Sequence, residues 1–465
     1  MSDTGASPRP RCDDRLGVVD EIFLRTHRGL GTPIALQGLW RTADRVDPAL
    51  LAAVHTALRG GPLGRRVIRP RVPGARRRWQ PTVRAYPLTY PNRPIPTDSL
   101  LEWADAQGHD LDPEFGPGWR LAATALDDGG SVVALTCSHA LADGRALVIA
   151  VDRALATKVT MVEPDRSIGF AEESSKYRWS SHSVAPVSDW ADARRQWSIV
   201  LRGTVRALRS GIPRVRTPVR RRHEHDDTDR RTHGDIPDRG APDADRVRTG
   251  APGISGVVVQ CRAADWDRVA ESGGGTANSL FIWLVANIVW ASGFPGPSLD
   301  ASIPVDTRDE PRVDNDLAMT EIAVTRADTP ATIRDKARAA YEYRMSTPGG
   351  MPEELLQVIP DRWAYALSKG AGERDILCSN IGPLPDSLRT LGPHPCVGVA
   401  ARAIHPGLIP DRLPRTRLSG YLCRSATDYV LSLVSTDPTR IPTAAVLRDL
   451  VGTVTAPLPL ATTPW

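Results

Sequence analysis

Between Ser131 and Ser138, valines and a leucine alternate with small residues at the period of a strand, and only Asp127-Asp-Gly-Gly130 separates this run from a second one, Trp119 to Leu126. The pair predicts a hairpin with an Asp/Gly turn. Past His139 the pattern changes, and Asp143-Gly144 opens Arg145 to Leu155, where apolar residues recur at helical spacing. Pro48 to Leu58 predicts another helix, with Pro in the first turn after Asp47 and Gly60-Gly61 at its end. A helix over Asp189 to Leu208 follows a polar, serine-rich stretch. Farther on come a strand at Ile254 to Cys261, a short helix at Ala263 to Ala270, and an apolar helix at Leu280 to Ala291 capped by Thr276. Strands at Leu299 to Val305 and Met319 to Val324, a helix from Thr332 to Arg344 and a strand ending at Ser379-Asn380 complete an α/β pattern.

The pattern fails in one place. Arg220 to Gly234 contains no apolar side chain, so a solvated surface segment is expected there. His223, His225, Asp226 and His233 fall within it as a candidate metal set, but nothing periodic is present to hold ligands in place, and no metal is expected. These breaks suggest a first unit over 1–165, a connecting helix and charged segment over 166–255, and a second unit over 256–465.

Composition narrows the function classes. The chain of 465 residues is 41% hydrophobic and 24% charged, with a formal net charge of +5 carried by arginine, since lysine occurs only at 158, 176, 336 and 369. No nucleic-acid motif accompanies that charge, so no nucleic-acid partner is expected. The longest apolar run falls short of the ~20 residues needed to span a bilayer. The six cysteines show no Cys-x-x-Cys pair, and no apolar leader opens the chain, which together favour a cytoplasmic setting. Arginines 65, 66, 69, 71, 76, 77 and 78 flank a predicted hairpin about Pro73-Gly74; a solvated face or an anion contact both fit.

Ser138-His139-Ala-Leu-Ala-Asp143-Gly144 places an imidazole at a strand end before a sharp turn, where a general base suits the chemistry. The segment resembles the His-His-x-x-x-Asp-Gly signature of the coenzyme A-dependent acyltransferase superfamily, which includes chloramphenicol acetyltransferase, nonribosomal-peptide condensation domains and wax ester synthases. Ser138 stands where the first histidine would be. Other landmarks follow in order: Leu16 to Leu24, Gly116 to Leu121, Ile303-Pro-Val-Asp306-Thr-Arg308, Asn315, Ser379-Asn380-Ile-Gly382-Pro383, Gly420 to Cys423 and Tyr429 to Leu433.

The resemblance implies two chloramphenicol acetyltransferase-like α/β sandwich subdomains in a V, with a tunnel between them. It implies His139 as the catalytic base. Asp143 invites a dyad reading with the imidazole, whereas the resemblance implies an ion pair between Asp143 and Arg308, with Gly144 permitting close packing at the turn. Asn380 and Ser138 are candidates for an oxyanion donor or for shaping the tunnel, though Ser138 should face away from the base. Cys137 reads as a buried thiol. The function implied is a soluble acyltransferase or free-standing condensation enzyme of specialised metabolism that makes an ester or amide. No bound cofactor is expected. The co-substrate would be an acyl thioester of coenzyme A or phosphopantetheine, and the partners a small-molecule acceptor and an acyl or peptidyl carrier protein. The alternatives are another reaction in the same tunnel, or a non-catalytic binding protein.

Overall fold

The computed structural model describes residues 14–26, 33–91, 93–162, 188–209, 254–342, 373–408 and 413–465. The early strands are β1 (Ala35–Thr42), β2 (Arg65–Ile68), β3 (Arg78–Pro81), β4 (Trp119–Ala125) and β5 (Ser131–Ser138). The later ones are β6 (Ser255–Arg262), β7 (Ser298–Asp306), β8 (Leu317–Thr325), β9 (Ile376–Pro383), β10 (Thr390–Leu391), β11 (His394–Ile404), β12 (Leu418–Arg424), β13 (Asp428–Ser435) and β14 (Thr463–Pro464). Four helices frame the first half: α1 (Val18–Arg25), α2 (Pro48–Gly60), α3 (Leu100–Ala106) and α4 (Gly144–Val162).

The first sheet has five strands in the order β10-β11-β1-β5-β4, and the second has seven in the order β14-β6-β13-β12-β9-β7-β8. Along β1 the side chains divide by parity, as a pleated strand requires. Leu36 and Trp40 join the core beneath α4, while Leu39 joins a separate cluster with Leu100 and Ala104 of α3. In the second half the helix Ala277–Ala291 is buried nearly all round, which is why its sequence carries no amphipathic stripe. It lies close on β12, where a Cβ at Gly420 would come within 2.8 Å of Phe281 and Val285. No single described helix is long and apolar enough to cross a membrane.

Two expectations need correction. The boundary at 256–465 does not hold for the sheets, because β10 and β11 leave the second half and complete the first sheet beside β1. The arginine-rich hairpin, β2 with β3, is only in part a solvated face: Arg69 and Arg71 are exposed, but four of its arginines are buried or ion-paired. Arg65 is buried, donates to the Leu141 carbonyl at 2.6 Å and lies 4.1 Å over the Trp79 ring. Arg69, Arg76 and Arg77 pair with Glu114, Asp192 and Glu21. Carboxylates remote in sequence satisfy these guanidinium groups, and strand alternation carries no record of them. The histidine-rich set at 223–233 lies outside the described residues.

Candidate functional site

A cavity of about 270 Å³ opens on the face of the first sheet that carries Leu36, Gly38 and Trp40, and β7, β9 and β12 supply its opposite wall. Its lining is mainly apolar, with Trp40, Leu135, Leu147, Val148, Leu388 and Val399 at the end beneath α4. Gly38 and Ala401 occupy one row of the sheet with Leu135, and these small residues leave room above the floor.

His139 stands at one end of this floor. Its backbone N–H donates to the Ile34 carbonyl at 3.0 Å, which extends the β5–β1 pairing by one row and turns the imidazole into the cavity. Phe23 of α1 stacks on the ring with centroids 3.5 Å apart and planes 13° from parallel. Burial pushes the imidazole down to about 4, with partial compensation from its own backbone and from Asn315, so it is neutral at pH 7.

Asn315 fixes the tautomer. Its Nδ2 donates to Asp20 Oδ1 at 2.9 Å and to the carbonyls of His139 and Ala140 at 2.8 and 3.3 Å, so its Oδ1 faces His139 Nδ1 at 3.2 Å. An amide oxygen only accepts, so Nδ1 carries the hydrogen and Nε2 keeps a free lone pair. Asp20 in turn accepts from the Gly17 backbone N–H at 2.9 Å. Burial raises the Asp20 carboxyl to about 6, against the opposing pull of Arg65 and the hydrogen bonds of Asn315 and Gly17.

Asp143 does not contact the imidazole within this network; it is bound elsewhere. Arg308 Nη2 donates to its Oδ2 at 2.6 Å, and both side chains are almost fully buried. The same carboxylate accepts from the backbone N–H groups of Ala146 at 2.9 Å and Asp316 at 3.1 Å. It thereby ties the first turn of α4 to the segment after β7. Burial pushes the Asp143 carboxyl up, and Arg308 with the two N–H groups pulls it back. Gly144 lines the cavity, and a Cβ there would stand 2.8 Å from Ile381 Cδ1, so close packing is the reason for glycine at this position.

Two candidates fall outside the cavity. Ser138 shares its row with Ala35 and Ile404 on the opposite face of the sheet, where its hydroxyl is buried without a hydrogen-bond partner. Asn380 is exposed, donates to Asn278 Oδ1 at 3.1 Å and accepts from the Gly382 N–H at 2.9 Å. Its neighbours Ser379 and Ile381 line the cavity instead, because alternate residues of β9 face opposite ways. Neither Ser138 nor Asn380 is placed to donate to an oxyanion at His139. Cys137 is buried, and burial pushes its thiol up to about 12.

Sequence reasoning did not assign Asp20, Phe23 or His405. The first two lie in the Leu16 to Leu24 segment already noted; an acid and an aromatic at i and i+3 share a helix face, and that was the available signal. His405 precedes Pro406-Gly407, a strand-end turn comparable to the one after His139.

The two sheets and the cavity wall between them define an α/β fold of the condensation-domain type. Over 98% of its length the chain matches the whole first condensation domain of the CDA synthetase, with 14% identity and a TM-score of 0.54. It matches the wax ester synthase/diacylglycerol acyltransferase from Marinobacter aquaeolei over 95% of this chain and 98% of that one, with 14% identity and a TM-score of 0.53. The cyclization-docking bidomain of a nonribosomal peptide synthetase from Sorangium cellulosum matches over 95% of this chain and 84% of its own, with 15% identity and a TM-score of 0.51. At sequence level no family model and no curated protein matches.

Proposed function

We propose that the protein is an acyltransferase that joins an acyl group from a thioester to an alcohol or amine, with His139 as the general base. The observation that carries this reading is the fixed tautomer: Nδ1 is committed to Asn315, and Nε2 is left free on a cavity wall. A hydroxyl or amine at Nε2 loses its proton to the imidazole as its oxygen or nitrogen bonds to the thioester carbonyl carbon. Collapse of the tetrahedral adduct breaks the C–S bond, and the departing thiolate takes the proton back from the imidazolium. Atoms and charge balance without an acyl-enzyme. The apolar end of the cavity beneath α4 suits an aliphatic acyl group, and a coenzyme A or carrier-bound phosphopantetheine arm would bring the thioester to His139. Neighbours of this fold from peptide synthetases support a place in specialised metabolism and a carrier protein as donor.

The test is thiol release and product mass with the full chain, a panel of acyl-coenzyme A thioesters and acyl-loaded carrier proteins. His139→Ala should lower turnover by about 10² to 10⁴ with the fold retained by circular dichroism. Near-normal turnover by that variant would overturn the assignment.

A further inference from the structure

Several polar side chains on the cavity wall take no part in the chemistry above, among them His405, Ser302 and Ser379. None of the three makes a side-chain hydrogen bond among the described residues, and none has its polar atoms sealed from the cavity. Ser302 is only 5% exposed. An apolar ligand filling this space would leave such groups unpaired, which is the arrangement that rejects an analogue lacking a hydrogen-bonding group.

Register places His405 relative to the base. Ala35 is aligned with both Ile404 and Ser138, His139 extends that pairing to Ile34, and the same register continued one residue past the end of β11 brings His405 alongside them. Side chains in one row point to the same face, and β11 and β5 flank β1, which puts the two histidine backbones about 9.5 Å apart. Both rings enter the cavity. Burial and the neighbouring His139 hold His405 down at about 4, so at pH 7 it offers one donor and one acceptor nitrogen.

The second sheet faces this wall with hydroxyls: Ser302, Ser379 and Ser419 line the same cavity as His405. Ser302 and Ser419 both align with Leu377, and Ser379 lies two residues along β9. The three serines therefore lie close together on one wall of the cavity, and His405 and His139 line the same cavity. A nucleophile held at His139 Nε2 extends into the cavity that Ile34 and His405 also line.

We propose that His405, Ser302 and Ser379 form an acceptor subsite that selects a nucleophile bearing a second polar group, such as a polyol or an amino alcohol, over a simple alkyl alcohol or amine. This deepens the acyl-transfer reading and rests on it.

The test uses acceptors matched in carbon number: glycerol against 1-propanol, and 3-amino-1,2-propanediol against propylamine, with one acyl-coenzyme A donor. The wild type should prefer the polar member of at least one pair tenfold or more in kcat/KM. His405→Leu and Ser302→Ala should each lower kcat/KM for that polar member about five- to tenfold, chiefly through KM, and leave the alkyl partner within twofold. A wild type without the preference, or equal losses on both members, overturns the subsite.

A second measurement does not need turnover. In the full chain labelled with [15N]histidine, 3-amino-1,2-propanediol or glycerol should shift the His405 imidazole signals, assigned by their loss in His405→Leu, at concentrations where propylamine and 1-propanol do not. Absence of that selective shift also overturns the subsite. Failure of the base reading has a separate signature, turnover that survives His139→Ala.

Discussion

A carboxyl raised to about 6 behind an amide gives His139 a neighbour whose charge changes within the working pH range. Above pH 6 Asp20 is ionised, and its charge draws Asn315 Nδ2 toward it, which keeps Asn315 Oδ1 on the imidazole. As pH falls through 6 that charge is lost, and as it falls through about 4 the imidazole itself is protonated. The acid side of kcat/KM should therefore descend in two steps, near 6 and near 4, and Asp20→Asn should remove the upper step while keeping the lower one. A single step near 6.5 in both proteins would show that neither Asn315 nor burial tunes the imidazole. His139, Asp143 and Arg308 were legible in the sequence because a short motif and its landmarks carry them. Asp20 and His405 were not, since their nearness to His139 arises from strand and helix pairings across 119 and 266 positions of chain.

Asp143 closes the first turn of α4 and binds Arg308 beyond β7, so it couples two elements that share no sheet. Arg308→Ala leaves the buried Asp143 carboxylate without its counter-ion and should cost about 3 to 5 kcal/mol, whereas Asp143→Ala leaves Arg308 paired with Asp306 and Asp314 and should cost less. Urea unfolding of the double variant should show a loss smaller than the sum of the two singles. Gly144→Ala intrudes on Ile381 in the same turn and should cost about 1 to 3 kcal/mol by the same measurement, the usual range for overpacking. Local signals predicted such elements well: Thr276 caps its helix as expected, accepting from Ser279, and the helix after Asp47 forms with Asp47 accepting from Ala49. They failed where packing partners decide. The arginine hairpin alternates like a solvated strand, yet Glu21, Glu114 and Asp192 answer its charges from other parts of the chain.

At the scale of the molecule, β10 and β11 join the first sheet while the strands before and after them in sequence, β9 and β12, belong to the second. Trp465 and Gln260 hold β11 from the second side, with Gln260 donating to the Val397 carbonyl at 3.1 Å and accepting from the Trp465 indole at 3.2 Å. The two sheets cannot separate without tearing β11 from one of them, so unfolding in denaturant should be one transition, coincident by tryptophan fluorescence and far-ultraviolet circular dichroism. Two resolved transitions would contradict this. The α/β class was legible from alternating helix and strand periods, but the exchange was not: Val399 to Ala403 is alanine-rich and signals no strand, and nothing local tells a strand which sheet to join. The exchange also has a consequence for biosynthesis. Until β11 leaves the ribosome, β1 is an open edge with unpaired N–H and C=O groups. Roughly 350 residues lie between the two strands, so at about 5 to 20 residues per second the nascent chain carries that edge for roughly 20 to 70 s. During that interval a chaperone or a neighbouring nascent chain competes for the place that β11 will take, and the wall that bears His405 is among the last parts of the molecule to form.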